Sequence, residues 1–70
     1  MAMRQALVYR GESGLWVAEV PSLPGCVSQG ETLEEAVENV REAICLHIET
    51  LEQHNQPVPG EQFDVMLVAV

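Results

Sequence analysis

Only one stretch of this 70-residue chain can form a long helix, and that limits how much strand surface the chain can cover by itself. Between Thr32 and Gln53, Leu33, Val37, Val40, Ile44, Ile48 and Leu51 recur at spacings of three and four, with Ala36 and Ala43 beside them, so one face is apolar. Thr32 followed by Glu35 forms a capping box, in which each side chain satisfies a backbone donor that the helix start leaves unpaired. Asn55 suits a left-handed cap, and Pro57 and Pro59 bar any continuation. The spacing therefore predicts a helix over 32–53, roughly 33 Å long.

The rest reads as strands. Residues 3–10, MRQALVYR, and 15–20, LWVAEV, are strand-length runs joined by Gly11-Glu12-Ser13-Gly14, which makes a hairpin. Pro24-Gly25 suits the two central positions of a type II turn, because proline presets the first φ and glycine tolerates a positive φ at the second. A short third strand follows at 26–29, and residues 63–70, FDVMLVAV, form a last one after the helix. The expected fold is α+β with the order βββαβ: a four-stranded mixed sheet with spatial order 3-2-1-4, and one helix on one face. The helix crossover returns the last strand parallel to the first, and a right-handed connection is favoured. The whole chain, 1–70, reads as a single domain.

A sheet covered on one side should alternate apolar and polar residues, and this one does not. Leu15 and Val17 oppose Trp16, Ala18 and Val20, while Met66, Val68 and Val70 oppose Phe63, Val65, Leu67 and Ala69. No second helix is available to cover the other side. A domain of this size buries only about 60% of the surface its unfolded chain exposes, which leaves a marginal core. A homo-oligomer, a dimer or larger, is expected, with Trp16, Ala18, Val20, Met66, Val68 and Val70 as its candidate interface. Trp16 is either an interface anchor or a core residue under the helix.

Eleven carboxylates against three arginines give a net charge of -8, and the chain has no lysine. Phosphates are held by clustered Lys and Arg, so direct nucleic-acid binding is not expected. No segment approaches the ~20 apolar residues of a membrane span, and the N-terminal residues lack a signal-peptide core. A cytoplasmic protein is expected, with Cys26 and Cys45 as reduced, largely buried thiols.

Together, Val20-Pro21-Ser22-Leu23-Pro24-Gly25-Cys26, then Gly30-Glu31-Thr32-Leu33-Glu34-Glu35-Ala36, then Asn39 and Ala43 resemble the signature of the HicB-like antitoxins. That signature is roughly P-x-L-P-G-C, a few residues, G-x-T-x-x-E-A, then N, and the resemblance covers about residues 4 to 56. It implies a reduced ribonuclease H-like fold of three strands, a helix and a strand. It also implies a non-catalytic antitoxin of a type II toxin-antitoxin system, which binds and masks HicA, a small toxin that cleaves messenger RNA. Many members carry a C-terminal DNA-binding segment, and the short form ending at Val70 is expected to lack it. The alternative is an orphan oligomeric binding module for a small molecule or another protein.

Glu34, Glu38, Glu42, Glu49 and Glu52 fall on the helix face away from the apolar stripe. Like charges four apart cost a helix about 0.2–0.5 kcal/mol per pair, so the ridge is either a solvated face or a surface for a basic partner such as that toxin. No enzyme chemistry is expected. The first strand has no acidic residue, which leaves Glu19 and Asp64 as isolated strand acids rather than two-metal nuclease ligands. Cys45 and His47 diverge on the helix, and His47 with His54 lack the further ligands a zinc site needs. Cys26 has no base beside it in sequence. No metal or cofactor is therefore expected.

Overall fold

A computed structural model describes residues 4–61, with β1 at Leu7–Arg10, β2 at Trp16–Glu19, β3 at Val27–Gly30 and α1 at Leu33–Gln53. The strands form one antiparallel sheet in the order β1-β2-β3, as the hairpin reading predicts. Val8 lies opposite Ala18, and Ala18 opposite Ser28. The fold is α+β, with three strands among the described residues. The expected fourth strand at 63–70, with Met66, Val68 and Val70, lies outside them.

β1 is shorter than the sequence predicts. In the observed register Gln5 falls opposite Pro21, which has no N–H to give the ladder, and the Gln5 N–H is donated to the Glu61 carboxylate. Arg4 instead anchors the strand's approach through a 3.0 Å bond from its guanidinium to Ser22 Oγ, one of the few buried polar atoms. β3 begins one residue later than expected. Cys26 is occupied in closing the turn: its N–H donates to Leu23 O at 2.9 Å, and its C=O accepts from Val20 N–H at 3.1 Å. Gly25 has φ 87, the left-handed value that the Pro24-Gly25 reading requires.

The helix ends follow the sequence closely. Thr32 is the N-cap, its Oγ1 accepting from Glu35 N–H at 3.0 Å. The reciprocal arm of the capping box reaches one residue further back than expected, because Glu35 Oε1 accepts from Glu31 N–H rather than from Thr32. At the other end Asn55 adopts φ 55, with Asn55 N–H donating to Glu52 O and Gln56 N–H to Leu51 O, the bond pair of a Schellman cap.

α1 lies mainly across β3 and β2, and the core lies between them: Ala18, Val20, Leu23, Cys26 and Val40, flanked by Val8, Ala43, Ile44 and Ile48. This reverses the expected facing of β2. Ala18 and Val20 were expected on the uncovered side but are buried beneath the helix, so neither offers an interface within this fold. Trp16 shares their face, is half-buried, and carries the Arg10 guanidinium 5.3 Å above its ring. The seat of the helix decides this facing. A helix that approaches a sheet closely needs small residues there, and Ala18, Ser28, Gly30 and Ala36 supply them, whereas apolar bulk alone puts Leu15 and Val17 underneath. A Cβ on Gly30 would lie 2.6 Å from the Ala36 nitrogen, closer than backbone atoms can tolerate.

Candidate functional site

Among the described residues, three surfaces remain after the core is accounted for. The first is the outer face of α1. Glu34, Glu38, Glu42, Glu49 and Glu52 are all exposed, on the side opposite the buried Ala36 and Val40. Arg41 and Cys45 share that face and are exposed too, so the expected burial of Cys45 is corrected. The second is the sheet face away from the helix. The register places Leu7, Tyr9, Val17, Glu19, Val27 and Gln29 there, and Val27 is 52% exposed. Sequence reasoning missed this set because it assigned the opposite parity to β2, and the small residues of the helix seat were the signal that could have found it. Tyr9 donates its phenol to a Glu19 carboxylate oxygen on this face. That bond, then desolvation and the Glu19 charge, holds the phenol above its ordinary pKa.

The third is a surface depression of about 270 Å³ between β1, the end of β2 and the turn, lined by residues including Leu7, Glu19, Pro24 and Val27. It is smaller than the ~300–1,000 Å³ of typical ligand pockets, and its one carboxylate already serves Tyr9.

The motif residues are largely taken up by packing, the turn and the helix cap. Leu23 is completely buried, and Cys26, 3% exposed, has its thiol pushed up by burial, which keeps it protonated and poorly nucleophilic near neutral pH. Pro21 is half-buried and Pro24 is exposed on the turn. Gly30 and Ala36 form the close contact between β3 and α1, and Thr32 with Glu35 caps the helix. Asn39 donates from Nδ2 to Gln29 O at 2.8 Å, tying α1 to β3. The signature thus spells out a structural joint. Among the described residues, no three His, Cys, Asp or Glu side chains gather where they could hold a metal ion, and no helix is long and apolar enough to cross a membrane.

The family described as the HicB-like antitoxin of bacterial toxin-antitoxin systems matches residues 5–67. The chain belongs to the HicB-like antitoxin family. A UPF0150 protein of Thermoplasma acidophilum is 40% identical over 62 residues, covering 89% of this chain and 90% of its own length. A UPF0150 protein of Synechocystis is 47% identical over 57 residues, covering 81% of this HicB-like chain and 72% of the relative. Among solved structures, the N-terminal domain of Burkholderia pseudomallei antitoxin HicB superposes with a TM-score of 0.67 at 38% identity, over 79% of this chain and 64% of that one. The HicB-like chain therefore spans just under two thirds of that solved domain.

Proposed function

We propose that this HicB-like chain acts by binding: it masks a HicA-like toxin by occlusion and contributes no catalytic group. The family supports the toxin-antitoxin role, and the acidic outer face of α1 is the observation that carries the choice of partner surface. An RNA-cleaving toxin must hold phosphates and is therefore basic, so five exposed glutamates on one helix face complement it and steer its approach. Most motif residues pack in the core, shape the turn or cap the helix, and the Glu19 carboxylate is engaged by the Tyr9 phenol.

A homo-oligomer remains part of this reading, with its surface moved to Leu7, Tyr9, Val17 and Val27 on the uncovered sheet face. The chain would work in the cytoplasm, without binding nucleic acid directly. Co-expression with a HicA toxin of the same genome tests the proposal: growth should be rescued, and the two proteins should co-elute. Toxicity unchanged by the chain, with no complex on size-exclusion chromatography, would sink it.

Among the described residues, the alternative of a small-molecule module has the shallow depression beside Pro24 in its favour.

A further inference from the structure

In an antiparallel ladder, alternate residues of a strand point their N–H and C=O toward the partner strand and away from it. On β3 the bond from Val20 N–H to Cys26 O sets the phase, so Cys26, Ser28 and Gly30 face β2, while Val27, Gln29 and then Glu31 point outward. Among the described residues β3 is an edge strand, and this outward row is the template on which another strand could pair.

Two consecutive groups of the row are already taken by the helix. Gln29 C=O accepts from Asn39 Nδ2 at 2.8 Å, and Glu31 N–H donates to Glu35 Oε1 at 3.0 Å. These groups flank Gly30, where α1 sits too close to the strand for a Cβ, and Glu35 and Asn39 lie one helical turn apart on the flank above them. We propose that Asn39 and Glu35 guard the β3 edge and keep the sheet from extending, strand to strand, onto a second copy of this chain. An incoming strand would have to displace both side chains, and short of that it could engage only Val27 and the Gln29 N–H, too little for a paired edge. Any self-association of the native chain must then use another surface. The inference is independent of the toxin reading.

The decisive variant is Asn39→Leu with Glu35→Ala, followed by light scattering across a concentration series, with circular dichroism as the folding control. Self-association should begin at a concentration about tenfold lower than in the native chain, as expected for the release of one or two competing hydrogen bonds. Adding Gln29→Pro should abolish that gain, because the lost N–H points outward and leaves the β2–β3 ladder intact. A folded double variant with native mass at every concentration would overturn the proposal, and so would a gain that Gln29→Pro fails to reverse. Should the double variant not fold, amide exchange on the native chain decides. Val27 and Gln29 should exchange fast while Ser28 and Gly30 are protected; concentration-dependent protection at Val27 and Gln29 would show the edge in use and refute the guard.

Discussion

The turn-and-helix joint and the outer faces of the molecule are built to opposite rules. In the joint, where the turn after β2 and the inward face of β3 meet α1, each key residue has a packing or bonding role: Leu23 fills the core, Gly30 admits the helix, Thr32 caps it and Asn39 ties it back to β3. On the outer face of α1 the glutamates stand in solvent, and on the open sheet face apolar Leu7, Val17 and Val27 mix with Tyr9, Glu19 and Gln29. The joint consumes its residues in making the fold, so the faces that fold leaves over are the ones free to bind.

Substitutions should separate the two regions by size of effect. Leu23→Ala opens a cavity at a completely buried site and should cost about 2–5 kcal/mol, enough to unfold much of so small a domain in a urea titration. Gly30→Ala drives a Cβ into helix backbone that cannot yield, and should cost about 1–3 kcal/mol with no change in charge, read from the same titration. Thr32→Ala removes the N-cap bond and should cost about 1 kcal/mol, visible as a lower melting temperature and reduced helicity.

The Cys26 thiol and the Tyr9 phenol both have raised pKa values, so each is held neutral more firmly in the folded chain than in the unfolded one. Their stabilising contribution is complete below the unfolded values, about 8.5 for a thiol and about 10 for a phenol, and is lost as pH rises through the folded ones. Melting temperature should therefore fall from about pH 8.5 upward. Cys26→Ala should flatten the start of that slope, and an unchanged slope would show that the thiol's burial carries no linkage.

The three described strands, the helix and its caps were legible because local chemistry decides them. The Thr32 cap, the Pro24-Gly25 turn and the left-handed Asn55 each depend on a few adjacent residues. The facing of β2 was not legible. Leu15-Trp16-Val17-Ala18 is apolar on both sides, and the choice between them was made by the close seat of the helix on Gly30 and Ala36, a contact between distant segments. The Asn39 bond to Gln29 likewise joins residues ten apart, and a motif position alone says nothing of its partner. The acidic ridge was legible as periodicity and stands where that periodicity put it.

The most direct measurement takes Glu38→Gln, Glu42→Gln and Glu49→Gln together and compares the melting temperature of the variant with its affinity for an inactivated HicA toxin. The ridge touches nothing in the core, so melting should stay where it is or rise slightly as like charges are removed, while affinity falls by about tenfold or more, most steeply at low salt. Native affinity in the variant would contradict the account, because binding would then lie on a surface other than the acidic helix face.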